Sequence, residues 1–157
     1  MKAKLQLRLA TTADVDAILP HFRAYQKHYS QLTAATEDKT RSFLEELVSR
    51  SQQGFAIIAE VDAGVVGFAT GFVTVSGVIA ERMIHIGDLY VDPQYRRHGV
   101  ATALLNEVTE QTRARGFSLV RWLALASETE LNRWYSSVAP SSGEFRLYLR
   151  PTQEKPS

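Results

Sequence analysis

The chain has 157 residues, 45% of them hydrophobic and 22% charged, and its formal net charge is +1. This is the composition of one ordinary globular domain, and a charge so close to zero argues against a strong electrostatic hold on nucleic acid or on an anionic membrane. The absence of cysteine excludes disulfides, a cysteine nucleophile and thiolate metal sites. No apolar run approaches the ~20 residues of a membrane span, and the first residues do not resemble a signal peptide, so we expect a cytoplasmic protein.

The N-terminal third predicts a strand and two helices. Residues 5–9 alternate leucine with polar residues, as expected for a strand with one buried face. Thr11 or Thr12 can cap the helix that follows, and Pro20 inside that helix predicts either a new start or a kink. Residues 36–50 carry apolar side chains at helical spacing and predict a second helix.

The middle of the chain predicts three strands and a long helix. Strands are expected at 55–61, 65–75 and 84–91, because these segments are rich in β-branched and aromatic residues and are separated by a tight turn and a loop. Residues 100–115 carry an apolar stripe of helical period, and Gly116 is expected to end that helix.

The C-terminal third predicts a strand, a short helix and a last strand. Residues 119–126 are apolar at nearly every position, which is typical of a central strand. A capping box formed by Ser127 and Glu130 starts a helix that extends to Val138. Residues 144–150 alternate like a strand.

The predicted elements therefore follow one another as strand, helix, helix, three strands, helix, strand, helix and strand. A run of antiparallel strands leads into a β-α-β crossover, which predicts the α/β class with a mixed sheet. We expect a single domain over residues 5–150 and a disordered tail at 151–157.

The most informative segment is the junction between the strand that ends at Val91 and the helix that begins near Gly99. The first turn of a helix has backbone N–H groups without internal partners, and the helix dipole adds positive potential there. Gly99 lets a ligand approach the backbone closely, and the two arginines and the histidine at 96–98 add positive charge. These features predict a diphosphate site. The alternative is a loop glycine beside a solvated, charged face.

Residues 96–101, RRHGVA, match [QR]-x-x-G-x-[GA], the coenzyme A signature of the GNAT superfamily of N-acetyltransferases. The flanking segments at 88–93 and 102–105 also resemble this family, and the predicted element order is similar to the family's over residues 5–150. The resemblance implies a GNAT-like fold, with a central, mostly antiparallel sheet, one splayed parallel strand pair and flanking helices. It also implies acetyl-coenzyme A as cosubstrate, an amine as acceptor, and a homodimer, which is a common state in the family.

The resemblance further implies which residues hold the cofactor. The amides at the helix start would cradle the diphosphate, and the backbone before it would bind the pantetheine arm, with the amide at or near Val91 facing the thioester carbonyl. The strand at 119–126 would splay away and leave a gap for the cofactor. The implied cofactor-binding residues are Leu89, Tyr90, Val91, Arg96, Arg97, His98, Gly99, Val100, Ala101 and Thr102.

Tyr135 is the implied acid that protonates the departing thiolate. It ends the segment NRWY, which resembles the [FLW]-Y pair on the corresponding helix of the family. Glu128 and Leu131 stand where the family often has asparagine and alanine, so no asparagine contact to the cofactor is carried over. Because Leu131, Trp134, Tyr135 and Val138 share one helical face, simple core packing is the alternative.

His85 is the candidate base, because the attacking amine must be neutral and a lysine-like amine has a pKa of about 10.4. Its spacing from the signature is similar to that of the catalytic glutamate in the histone-acetylating branch, and histidine accepts a proton near neutral pH. Strict alternation places His85 on the face of Val91 and Asp88 on the opposite face, unless a bulge reverses this. Gly87 stands where the polyamine branch has a glutamate. A strand histidine without catalytic role and Glu81 as base are the alternatives.

The acceptor site is expected on the first helix. His21, Tyr25, His28 and Tyr29 lie at helical spacings, and Tyr25 and Tyr29 are the candidate residues for binding a cationic amine; half-buried packing is the alternative. The histidines are dispersed without a pattern of two histidines and a carboxylate, so we predict no metal.

The favoured function is that of an enzyme that acetylates a small primary amine. The alternatives are an N-acetyltransferase acting on a protein N-terminus or lysine, and a binding module that senses acyl-coenzyme A without turnover. A nucleic-acid binder is disfavoured by the scattered arginines and the near-zero charge.

Overall fold

One sheet of five strands organises the described part of the chain. The computed structural model describes residues 4–29, 35–141, 143 and 145–152. The strands are β1 (Gln6–Leu9), β2 (Gly54–Val61), β3 (Gly64–Ser76), β4 (Glu81–Val91) and β5 (Val120–Arg121). They lie side by side in chain order, and each neighbouring pair is antiparallel except β4 and β5, which run parallel. The predicted α/β class, with a mostly antiparallel sheet and one parallel pair, is confirmed.

Helices follow the predicted order. Those in the described ranges are α1 (Val15–His28), α2 (Glu37–Ser49), α3 (Val100–Ala114) and α4 (Thr129–Val138). One-turn 3₁₀ helices lie at Thr12–Asp14 and Pro93–Tyr95, just ahead of α1 and α3.

α1 and α2 cover one face of the sheet, and α3 packs on the other. On the first face, Phe22 of α1 stacks on Phe68 of β3 with ring centroids 4.9 Å apart, and Leu47 of α2 joins the same apolar cluster. On the second face, Leu104 of α3 lies so near Gly67 of β3 that a β-carbon there would be 3.4 Å away. Because both faces are covered, the centres of β2 and β3 are buried.

Local chemistry sets the helix ends largely as predicted. The Lys39 amide donates to the Thr36 hydroxyl at 3.2 Å, which caps α2. Gly116 takes a left-handed conformation with φ of 78° just after α3. α1 runs without interruption through Pro20, so the predicted new start does not occur. Pro20 and Asp16 are both exposed, and water can satisfy the Asp16 carbonyl that a non-proline residue would have bonded.

β4 contains a bulge at Gly87. Ile86 pairs with Gly71 and Asp88 pairs with Thr70, so the neighbouring residues of β3 are opposed by three residues of β4. An extra residue in one strand shifts the alternation of every side chain beyond it. The bulge therefore decides which side chains of β4 share a face.

Residues opposite one another across an antiparallel ladder lie on the same face. The pairs on the face covered by α1 and α2 are His85 with Phe72, Asp88 with Thr70, and Tyr90 with Phe68. Strict alternation, which grouped His85 with Val91 and placed Asp88 opposite, therefore does not hold, and the stated alternative of a bulge that reverses the faces is confirmed. His85 and Asp88 lie on one face because Gly87 adds a residue between them.

Packing makes glycine necessary at the bulge. A β-carbon at Gly87 would overlap the ring of Phe72 and lie 3.2 Å from the hydroxyl oxygen of Thr70. The ring of Phe72 in turn packs near Phe43 of α2, with centroids 6.0 Å apart. A glutamate at position 87 would therefore displace an aromatic side chain that joins the sheet to α2.

The chain divides into a compact unit that ends at Leu123 and a second that begins at Ala124. The second unit contains α4, which starts at Thr129 with Glu128 in the cap position and no side-chain cap. The predicted capping box is therefore wrong. The turn before α4 is instead held by Leu125, whose carbonyl accepts from the Glu128 amide at 3.0 Å and from the Asn132 side chain at 2.7 Å.

Two predicted strands are corrected. The segment 119–126 contributes only β5, which lies at the edge of the sheet rather than at its centre, and Leu123 and Leu125 are 60% and 49% exposed. Residues 145–150 form no strand, and Phe145 and Tyr148 are largely exposed. An apolar or alternating pattern describes side chains only, whereas a strand also needs a ladder partner.

Candidate active site

The start of α3 forms a concave row of backbone amides. Gly99 is left-handed with φ of 81°, Arg97 is left-handed with φ of 61°, and such alternation of backbone conformation makes an anion-binding nest. The first bond within the helix runs from the Ala103 amide to the Gly99 carbonyl, at 3.0 Å. The amides of the residues between them point out of the helix end. Nothing lies within 4 Å of the β-carbon position at Gly99, so its conformation, not lack of space, requires glycine.

Arg96 ties this turn to the end of β4. Its Nε donates to the Val91 carbonyl at 2.9 Å, and its guanidinium lies over the Tyr90 ring, 5.8 Å from the centroid. The His98 Nδ1 lies 2.7 Å from the Arg96 carbonyl oxygen. Residues 96–98 are exposed, so the positive charge of the two arginines faces the approach to the nest, and the bond from Arg96 to Val91 also holds the turn in place.

The open edge of β4 lies next to the nest. Successive N–H groups of a strand point to opposite edges. The Ile84 amide donates toward β5, to Leu119 at 3.1 Å, and the Asp92 amide donates toward β3, to Val66 at 2.8 Å. The amides of Leu89 and Val91 must then point away from β3. The pairing of β5 ends at Arg121, opposite His85, so in the described residues no strand covers that edge.

His85 is half-buried on the face covered by α1 and α2. Its Nδ1 is buried and has no hydrogen-bond partner among the described residues. Burial, helped by the positive charge of Arg121, holds the pKa of His85 below its ordinary value of 6.5. The imidazole is therefore neutral at pH 7 and able to accept a proton.

Asp88 is a half-buried carboxylate that neighbouring side chains partly shield from water. Its carboxylate accepts from the Thr70 hydroxyl at 2.5 Å and from the Tyr25 hydroxyl. Burial raises the pKa of Asp88, and those two hydrogen bonds act in the opposite direction. Desolvation is the stronger influence, so the carboxylate costs the fold free energy unless a ligand compensates it.

Aromatic side chains of α1 lie over the bulge. The Tyr25 ring lies 6.0 Å from that of Phe68 and 5.0 Å from that of Tyr29, and the Tyr25 hydroxyl is 3.5 Å from the Gly87 carbonyl oxygen. His21 lies about one turn before Tyr25 in α1, with its Nδ1 4.0 Å from an Asp92 carboxylate oxygen. The structure thus brings the predicted acceptor residue Tyr25 together with His85 and Asp88 on one face.

Tyr135 lies on α4, in the second compact unit. Its ring is tilted against that of Trp134 with centroids 5.0 Å apart, and both side chains are half-buried. Its role as acid stays a prediction.

Sequence reasoning missed the pairing of Asp88 with Thr70 and Tyr25. The available signal was Gly87, because an isolated glycine within a strand pattern indicates a bulge. The partners themselves are 18 and 63 positions away in the chain, and no local pattern connects them.

Two kinds of feature are absent from the described residues. No helix there is both long and apolar enough to span a membrane. No three histidine, aspartate or glutamate side chains in those ranges gather as metal ligands would.

Comparison with known proteins places these features in a family context. Residues 18–136 match the acetyltransferase (GNAT) family. An uncharacterised N-acetyltransferase of Methanocaldococcus jannaschii is 28% identical over 125 residues, covering 78% of this chain and 54% of that protein. The chain thus spans about half the length of this curated relative.

Solved structures share the fold. A ribosomal-protein-alanine N-acetyltransferase from Brucella melitensis biovar Abortus superposes with a TM-score of 0.75 at 19% identity, covering 94% of this chain and 99% of that one. The aminoglycoside N-acetyltransferase AAC(6')-Iy, in complex with coenzyme A, gives a TM-score of 0.79 at 18% identity, covering 98% of each chain.

Proposed function

The chain belongs to the acetyltransferase (GNAT) family, and we propose that it transfers the acetyl group of acetyl-coenzyme A to a small-molecule primary amine by direct attack on the thioester. The observation that carries this proposal is the adjacency of two features. The amide nest at the start of α3 follows the strand β4 after one short turn, and the end of β4 presents amides at an open edge. A cofactor with a diphosphate and an extended amide-bearing arm is complementary to both.

The residues present fit coenzyme A. The amides of Val100, Ala101 and Thr102 would bind the diphosphate, with Arg97 adding positive charge and His98 lying beside it at the exposed approach. The pantetheine arm would hydrogen-bond along the open edge of β4, at the predicted positions Leu89 to Val91. When bound, the cofactor supplies an activated acetyl thioester.

The open edge would also stabilise the transition state. The attack of an amine on a thioester places negative charge on the carbonyl oxygen. A prepositioned N–H that donates to this oxygen lowers the activation barrier, and removal of one such donor raises the barrier by about 3 to 4 kcal/mol. The Val91 amide, directed away from β3 and close to the nest, is our candidate donor.

Two side chains would move the protons. We assign to His85 the acceptance of the proton from the amine, directly or through water, because its imidazole is neutral and its Nδ1 lacks a partner in the described structure. We assign to Tyr135 the donation of a proton to the departing thiolate sulfur, on the resemblance of its helix to the family's. The new N–C bond then replaces the C–S bond, and coenzyme A leaves as the thiol.

The acceptor class rests on the α1 side of the site. Tyr25 donates to the Asp88 carboxylate and its ring lies 5.0 Å from that of Tyr29, an arrangement that suits a small cationic amine. The similarity to an aminoglycoside N-acetyltransferase supports such an acceptor. The similarity to a ribosomal-protein-alanine N-acetyltransferase favours the second candidate, a protein N-terminus. A sensor that binds acyl-coenzyme A without turnover is the third.

Three further expectations belong to the proposal. The protein acts in the cytoplasm, where acetyl-coenzyme A and reduced thiols occur. It uses no metal and binds no nucleic acid. It forms a homodimer, as the family commonly does.

Release of coenzyme A, followed with a thiol reagent, tests the function. Acetyl-coenzyme A is mixed with tobramycin, 1,4-diaminobutane or a peptide that begins with alanine. Faster thiol release with either small amine supports the proposal, and release with the peptide alone supports the second candidate. Binding of acetyl-coenzyme A with no release for any acceptor favours the sensor.

A further inference from the structure

The Asp88 carboxylate is half-buried and has no counter-charge among the described residues. It faces α1 rather than solvent because the bulge at Gly87 turns it there, and its hydrogen bonds come from the hydroxyls of Thr70 and Tyr25. In the described residues no lysine, arginine or histidine pairs with it. Thr70 is fully buried, so the carboxylate is anchored on a rigid strand rather than on a loop.

Such an arrangement is unfavourable for folding alone. A desolvated carboxylate destabilises a structure unless hydrogen bonds and an opposite charge compensate it. Two neutral donors leave part of its acceptor capacity unused, since an ionised carboxylate offers about four lone-pair sites. A cationic ligand that donates hydrogen bonds would supply what the protein does not.

We propose that Asp88, held by Thr70 and Tyr25, is the subsite that binds the acceptor amine as its ammonium ion and sets the preference for cationic primary amines. This inference rests on the proposed acetyl transfer and specifies the acceptor side of the same site. Asp88 acts as a binding and positioning residue, and His85 retains the role of base.

The position of Asp88 fits this role. Leu89, the next residue, directs its amide to the open edge where the thioester arm is proposed to lie. Asp88 and His85 face residues two apart on β3, and at about 3.3 Å per residue the two side chains are rooted roughly 7 Å apart. An ammonium held at Asp88 can therefore reach His85 directly or through one water.

The aromatic neighbours add selectivity for the cation. The Tyr25 ring carries one of the two hydroxyls that donate to the Asp88 carboxylate. The centroid of the Tyr29 ring is 5.0 Å from that of the Tyr25 ring. Aromatic faces attract ammonium groups. A neutral alcohol of the same shape gains neither the ionic nor the ring interaction, so the subsite should discriminate by charge.

An NMR titration tests the subsite without requiring turnover. The ¹⁵N-labelled full chain, without cofactor, is titrated with n-butylammonium chloride and separately with n-butanol, at constant ionic strength. We expect the Gly87 amide signal to shift and the dissociation constant for the ammonium to be at least tenfold lower than for the alcohol. Equal binding of the two ligands would overturn the proposal.

Substitutions separate charge from structure. Asp88→Asn keeps the shape and replaces one acceptor oxygen with an NH₂ group, toward which a neighbouring hydroxyl can turn its own oxygen. It should abolish the preference for the ammonium while the midpoint of urea unfolding stays equal or rises. Asp88→Glu should retain part of the preference. Asp62→Asn, in the exposed turn between β2 and β3, is the control and should change neither quantity. Unchanged ammonium binding in Asp88→Asn would refute the subsite.

A further variant guards against a folding defect in Asp88→Asn. Thr70→Val removes one donor from Asp88 but keeps the side-chain shape, and should weaken ammonium binding severalfold. Unaltered affinity in this variant would count against the proposal. If the proposed acetyl transfer were wrong but the subsite were right, the wild-type protein would release no thiol. It would still bind the ammonium ion in a way that depends on Asp88.

Discussion

Gly87→Ala tests whether packing against Phe72 enforces the bulge on which the site depends. The added β-carbon would overlap the Phe72 ring and lie 3.2 Å from the Thr70 hydroxyl oxygen. Overpacking of this kind lowers the free energy of unfolding by about 1 to 3 kcal/mol. Replacement of glycine also reduces the conformational freedom of the unfolded chain, which raises the free energy of unfolding by roughly 0.4 to 1 kcal/mol. We therefore expect a net destabilisation of about 1 to 2 kcal/mol. For a chain of this length that lowers the melting temperature by about 2 to 8 °C.

Urea unfolding followed by circular dichroism measures this change, and a double-mutant cycle assigns its cause. Phe72→Leu removes the ring edge that the new β-carbon meets, so the two substitutions should couple by at least about 1 kcal/mol in the favourable direction. Gly77→Ala is the control, because nothing lies within 4 Å of its β-carbon position. Wild-type stability in Gly87→Ala, or strict additivity with Phe72→Leu, would refute the reasoning.

Three other predictions concern protons and charge. On the acid side of the pH profile, kcat/KM should rise with pH through an apparent pKa below 6.5, because the neutral imidazole of His85 is the active form. His85→Gln should remove this pH dependence, and an unchanged pH dependence would exclude His85 as the base. Tyr135→Phe should lower kcat by about 100-fold or more with acetyl-coenzyme A affinity unchanged in calorimetry, and full activity would leave Tyr135 a packing residue. Asp14 is bonded to Arg8 at 2.7 Å and has its pKa lowered from 3.8 to about 2, so its contribution to stability is present above pH 3.8 and is lost as the pH falls through 2. Asp14→Asn should therefore cost about 1 to 2 kcal/mol at pH 7, allowing for the partly exposed guanidinium, and almost nothing at pH 2; an equal cost at both values would contradict this.

The sequence predicted most accurately the elements whose limits depend on local chemistry. Gly116 was expected to end α3 and follows it in a left-handed conformation, and the helix predicted over residues 36–50 agrees with α2 to within one residue at each end. The turn at Gly99 was likewise predictable as a junction between a strand and a helix, since a strand, a basic turn and a helix start follow one another in the chain; anion binding there stays a prediction.

Features that depend on distant packing were not predictable in the same way. The bulge at Gly87 reverses the faces of β4, and it is enforced by Phe72 across the sheet. The Asp88 cluster joins three elements of the fold. The segments 119–126 and 144–150 have the side-chain patterns of strands, but a pattern does not specify which edge is available for pairing.

Isothermal titration of the full chain with acetyl-coenzyme A tests the central claim most directly, with ATP and NAD as phosphate-bearing controls. The account predicts micromolar binding of acetyl-coenzyme A and none of comparable strength for the controls, because only acetyl-coenzyme A has both the diphosphate proposed for the nest and the pantetheine arm proposed for the open edge of β4. No binding of acetyl-coenzyme A, or equal binding of all three ligands, would contradict it.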